Sequence, residues 1–288
     1  MTMKTRWLAT GVALILCGGM MLAQTQPAQP AQPAQNGPKP KSQKEVAALM
    51  AVQNATTADA RLKAIDDLLT NFADTEYKSI VLDMAVETAQ QKNDLTQTTI
   101  WANRALQNNP KDYVAKLALA EGIANSTREF DLDKDEKLNK AEKYANDAIV
   151  DLKDAPKIQP NLTDEQWSSA KRDMGAQAHV ALALVASVRK KYDVAASEFK
   201  AAVDTEATPN PGVIVRMGDA YEKAGKYDDA IAAFDKAIAE PTTSAQVKQV
   251  AQNLKSDAEK KKSGGAPASG ATPQTTTPPA APAPAKQP

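Results

Sequence analysis

The sequence predicts an all-α protein, a solenoid of about five helix pairs closed by a C-terminal capping helix. Three observations lead there. Between residues 42 and 262, Ala-rich segments carry apolar residues at three- and four-residue spacing, without the alternation of a strand. The prolines of that stretch (Pro110, Pro156, Pro160, Pro209, Pro211 and Pro241) all fall where those segments begin or end. A ladder of small and aromatic residues also recurs at a spacing of 34–35 residues, the mark of stacked repeats.

The two ends stand apart from this body. Of 18 prolines, five lie in residues 1–41 and seven in residues 263–288. Residues 1–23 have the pattern of a signal peptide: basic Lys4 and Arg6, an apolar run from Trp7, and a small residue, Ala23, at the expected cleavage point. The chain is therefore expected to be exported to the periplasm or cell envelope. The alternative is an inner-membrane anchor through residues 7–22, although 16 apolar positions fall short of the roughly 20 that span a bilayer. Cys17 follows Leu16, which fits a lipid-modified cysteine poorly. Residues 24–41 form a Pro/Gln/Ala-rich linker, and proline at every third position favours an extended spacer. Residues 263–288, rich in Pro, Ala and Thr, lack the apolar side chains to fold and are expected to be a disordered tail.

Within the body the repeat is clearest at Pro211–Glu240. Met217-Gly218 is followed by Tyr221, Gly225, Tyr227, Ala230, Phe234 and Ala237, with Pro241 just after. Small Gly218 and Ala230 suit a close approach of two antiparallel helices, with the aromatic residues filling the space beside them. Thirty-five residues earlier the ladder returns as Leu182-Ala183, Ala186, Tyr192, Ala195, Phe199 and Ala202. This pattern resembles the tetratricopeptide repeat, in an exported bacterial type of protein, and the resemblance implies a right-handed superhelical solenoid. Taken in order, the units are 42–73, 79–112, 113–155, 163–210 and 211–242, with a cap at 244–262. The third carries an insertion around Phe130–Lys137. The fourth opens on Thr163-Asp-Glu-Gln166, a capping box, and runs helical to Lys190. Its first half, with Trp167, is expected to pack on the insertion or to present a separate surface.

Composition excludes several functions. The body holds 30 basic and 35 acidic residues, so no basic face for nucleic acid is expected. With one cysteine and one histidine, His179, zinc sites of Cys and His are out of reach. His179 itself reads as a core or groove-edge residue. No phosphate-binding loop or dinucleotide fingerprint occurs, so no cofactor is expected. Residues 131–142 space acids like a calcium loop, giving Asp131, Asp133, Asp135, Asn139 and Glu142 as candidate ligands, but Glu136 stands where the turn needs Gly. The competing reading starts a helix near Asp135. The neighbours Asp66-Asp67 and Asp228-Asp229 point different ways on a helix and read as solvated faces.

The resemblance implies a non-enzymatic scaffold of the cell envelope that binds partner proteins or peptides in a concave groove. A structural or self-associating assembly factor is the alternative, and a carboxylate-only enzyme the remote one. Membrane contact is expected only through an uncleaved N-terminal segment. Carried over from the family, the groove positions are Asp83, Glu87, Gln90, Leu117, Glu121, Val180, Leu184, Ser187, Val215, Asp219 and Glu222. That set is acidic at both ends with an apolar middle, which favours a partner segment with basic flanks around a hydrophobic centre.

Overall fold

The structure is a computed structural model that describes residues 37–157 and 162–264. The signal peptide, most of the linker, Pro160 and all but the first two residues of the tail lie outside the described residues. Every regular element among the described residues is an α-helix. In chain order they are α1 (Gln43–Asn54), α2 (Ala58–Asn71), α3 (Lys78–Gln91), α4 (Leu95–Asn108), α5 (Tyr113–Ser126), α6 (Lys134–Lys153), α7 (Asp164–Val188), α8 (Tyr192–Thr205), α9 (Pro211–Lys223), α10 (Tyr227–Ala239) and α11 (Ala245–Lys262).

Local chemistry sets most helix starts. Ser42, Thr57, Asp94, Asp112, Asn210 and Ser244 each accept a backbone N–H of the following turn. Thr163 and Gln166 close both bonds of the capping box, at 3.1 and 2.9 Å. Within three pairs the first helix ends in one residue of left-handed backbone: Asn93, Lys190 and Gly225. In each the next N–H returns to the helix, as from Lys226 to the Tyr221 carbonyl at 2.9 Å, which satisfies an otherwise orphaned end.

Consecutive helices pack antiparallel, and α3 also touches α5, α5 touches α7, and α9 touches α11. The result is a helical solenoid with four apolar clusters, from Leu49 and Ile65 near one end to Phe234 and Ala251 near the other, linked by half-buried Tyr144, Ile123 and Leu184. Alanines at the helix crossings, such as Ala145, Ala178, Ala195 and Ala230, are fully buried and let backbones approach. The α11 helix covers the last pair, burying Ala251 and Ala258.

Two details differ from the sequence expectation. Trp167 packs against Ala148 and Leu152 of α6, at the far end of that helix from the insertion. The physical reason is direction: α6 extends to 20 residues beside the 25 of α7, and antiparallel packing sets the start of α7 against the end of α6. The last residues assigned to the linker are docked. The Tyr77 hydroxyl donates to the Pro38 carbonyl at 2.7 Å, and the Lys41 ammonium bonds Asp74.

Candidate interaction groove

Among the described residues, the buried side-chain atoms without a hydrogen-bond partner are Asp83 Oδ1 on α3, Trp101 Nε1 on α4, and Arg216 Nη1 and Glu222 Oε2 on α9. On α3, Asp83 and Glu87 lie one turn apart and are half-buried. Asp83 faces Asp112, the residue that starts α5 and whose carboxylate accepts from the Ala115 N–H at 3.0 Å. Burial, then the neighbouring Asp112 carboxylate, then Glu87 push the Asp83 carboxyl well above the usual carboxylate range. Its Oδ1 is buried without a hydrogen-bond partner. Glu87 is raised by burial alone. The Tyr113 hydroxyl beside this group is raised by burial and by the charges of Asp83 and Asp112.

Further along, burial raises Glu121 on α5, against the lowering effect of Arg216 and of a hydrogen bond with Asn125. Arg216, from α9, is lowered by burial and held up by Glu121 and Asp219. Its Nη1 is buried without a partner. The groove thus holds one row of carboxyls that water no longer solvates fully and one guanidinium opposite them.

At the last pair, Gly218 of α9 lies against the ring of Phe234 on α10. Ala230, Phe234 and Ala237 are fully buried in this crossing, and Tyr221 packs at its edge. Tyr227 opens α10. Gly225 takes a φ of 77° in the turn between the two helices, where a side chain would be strained. Residues 189–254 match the tetratricopeptide repeat family. This part of the chain carries tetratricopeptide repeats. Among solved structures, a thermophilic TPR protein from Thermus thermophilus aligns at 16% identity with a TM-score of 0.49, covering 73% of this chain and 95% of that one. A tetratricopeptide repeat protein from Parabacteroides merdae aligns at 13% identity with a TM-score of 0.28, over 75% and 96% of the two chains. No curated protein matches the chain.

The groove positions carried over from the repeat family divide into two groups. Asp83, Glu87, Gln90, Glu121, Leu184, Ser187 and Asp219 remain partly accessible. Leu117, Val180 and Val215 do not, and their assignment to the groove is corrected. Leu117 is buried among Ala145, Ala178 and Ala181, and Val180 and Val215 belong to the core shared by α7 to α11. They are apolar residues that neighbouring helices cover, so the apolar middle of the groove is smaller than the sequence suggests. Glu222 is also corrected: it is buried and paired with Lys261 of α11. Asp219 pairs with Lys223 one turn on. The acidic character therefore survives on α3 and α5 and is neutralised at the α9 end by Lys223 of that helix and Lys261 of the cap.

Asp112, Tyr113, Asn125 and Arg216 were missed. Asp112 was legible as a helix cap, whereas nothing in the sequence sets Arg216 against Glu121, on another helix pair.

The calcium-loop candidates are split between two groups of partners. Asp131 and Asp133 lie in the turn before α6 and both pair with Lys137. Asp135, Asn139 and Glu142 are on α6 itself, where Asn139 and Glu142 each accept a hydrogen bond from Arg189 at 2.6 Å. The start of α6 at Lys134 straightens the segment that an ion-wrapping loop would need to bend. Among the described residues, no three His, Cys, Asp or Glu side chains gather as a metal site. Asp66 and Asp67 turn to different partners, Arg104 and Lys63. His179 is half-buried between α7 and α8, its Nδ1 2.8 Å from Glu198.

Proposed function

We propose that this chain is a non-enzymatic interaction scaffold of the cell envelope that captures a partner protein or peptide along α3, α5, α7 and α9. The observation that carries this reading is the presence of unpaired buried polar atoms, Asp83 Oδ1 and Arg216 Nη1, beside the half-buried carboxyls of that face. A buried polar group without a partner costs about 1–3 kcal/mol. Those two atoms are shielded within the fold, so a ligand would engage the accessible edges of the same residues, with donors to the carboxyls and an acceptor to Arg216 replacing water that burial has already thinned. The matching ligand is a segment with a basic residue towards the α3 end and a backbone carbonyl or acidic group at Arg216.

Export rests on residues 1–23, whose charge and apolar pattern suit a signal peptide. Intact mass of the protein recovered from the envelope tests it. A chain beginning near Gln24 supports export with cleavage, and a chain retaining Met1–Ala23 supports the anchor. Binding is tested on an array of basic-flanked apolar peptides, comparing the native protein with Glu87→Gln and Glu121→Gln. These changes keep shape and remove charge. Binding should fall in both variants, and its salt dependence should flatten because fewer charges attract the ligand at long range. Unaltered affinity and salt slope would place the partner elsewhere.

A further inference from the structure

We infer that two copies of this chain associate reciprocally, the Phe130 ring of each seated in a cleft between α6, α7 and α8 of the other. Phe130 is 88% exposed and Leu132 fully so, side by side in the turn that joins α5 to α6. The turn is well tied down. The Arg128 N–H donates to the Asp131 carboxylate at 3.1 Å, the Lys134 N–H donates to the Asp131 carbonyl at 3.1 Å, and Lys137 bridges Asp131 and Asp133. Two large apolar side chains are thus held in water on a well-bonded turn.

The receptor for them lies nearby. A cleft of about 120 Å³ is lined on one part by Leu182, Val185, Ala186 and Val194 and on the other by Glu142, Arg189, Lys191 and Glu198. An apolar cavity of about 150 Å³ holds a benzene ring, so the space here is of the order of one phenyl group laid on the Leu182, Val185, Ala186 and Val194 part of the lining. Turn and cleft adjoin at one end of the α6–α7 pair: Glu129 of the turn pairs with Lys190, and Arg189 ties α7 to Asn139 and Glu142 of α6. A knob and a hole side by side on one face satisfy each other when two copies meet about a two-fold axis between them, and such a contact closes at the dimer.

Charge points the same way. Lys191 beside the cleft, and Asp135 and Glu136 beside the turn, are exposed and form no ion pair among the described residues of one copy. In the reciprocal dimer they face each other. The acids around the turn oppose docking on an anionic membrane. At 100° per residue, positions 182, 185, 186 and 189 lie on the opposite side of α7 from the groove positions 184 and 187. The dimer therefore leaves the groove open, and it stands or falls independently of peptide capture.

Sedimentation velocity of the full chain, from micromolar to sub-millimolar concentration, tests the contact. We expect a species of twice the monomer mass that grows with concentration. Phe130→Asp should abolish it, as should Val194→Glu at the exposed mouth of the cleft, both with unchanged helical content. A monomer throughout the range overturns the inference. So does a dimer that survives both substitutions, or a monomer that sediments with phosphatidylcholine vesicles through Phe130.

Discussion

Substituting Gly218 tests the register of the repeats at its tightest point. A Cβ at this position would lie 2.5, 2.8 and 2.9 Å from three ring atoms of Phe234, whereas carbon atoms in contact rest about 3.5–4.0 Å apart. Phe234 is fully buried between α9 and α10, so its ring can move only by displacing neighbours. Overpacking of this kind costs about 1–3 kcal/mol. Helix propensity returns about 0.8–1 kcal/mol when Gly is replaced by Ala or Leu. The net loss should be about 1 kcal/mol for Gly218→Ala and about 2 kcal/mol for Gly218→Leu, whose longer side chain meets the ring fully. Repeats unfold semi-independently, and Trp101 and Trp167 lie on α4 and α7, so fluorescence would miss the change. Hydrogen exchange of peptides from residues 211–262 is the appropriate readout and should show faster exchange through α9, α10 and α11. Phe234→Ala by itself should destabilise, but combined with Gly218→Leu it should cost less than the two changes summed, because the new side chain enters the vacated space. Gly218→Leu with native-like exchange in α9 to α11 would refute the close approach and the register with it.

Three further outcomes are expected. Lys116→Met should cost about 3 kcal/mol in urea denaturation, because it strands Asp151 in a pair whose side chains are only 10% and 12% exposed; Lys116→Met with Asp151→Leu should recover most of that loss. Asp83→Asn should raise the melting temperature at neutral pH. The Asp83 carboxyl is raised in the folded chain, so its contribution is most favourable below the unfolded carboxylate pKa and is lost as pH rises through the folded one; the advantage of Asn should vanish on acidification towards pH 4, an order-of-magnitude marker for that unfolded value. Lys190→Gly should raise the melting temperature by more than Asn93→Gly, because both residues hold left-handed backbone and asparagine tolerates it better than lysine.

The sequence by itself determined the helices and their order. Seven capping side chains, the helix-boundary prolines and the recurring Gly, Ala and aromatic ladder act within a turn or between adjacent helices, so each is legible from local spacing. The turn at Gly225 and the start of α6 ahead of Asp135 belong to the same class. Only the tertiary structure decided which side chains of the first helices stay accessible. Leu117, Val180 and Val215 occupy groove positions by spacing, yet neighbouring helices close over them. Glu222 reads as a groove acid until α11 folds back and Lys261 reaches it from 39 residues away. The juxtapositions of Asp83 with Asp112, and of Glu121 with Arg216, likewise depend on how successive pairs stack. Helix formation is governed by neighbours along the chain. The charge and exposure of a solenoid face are governed by the rotation between repeats, which no single repeat encodes.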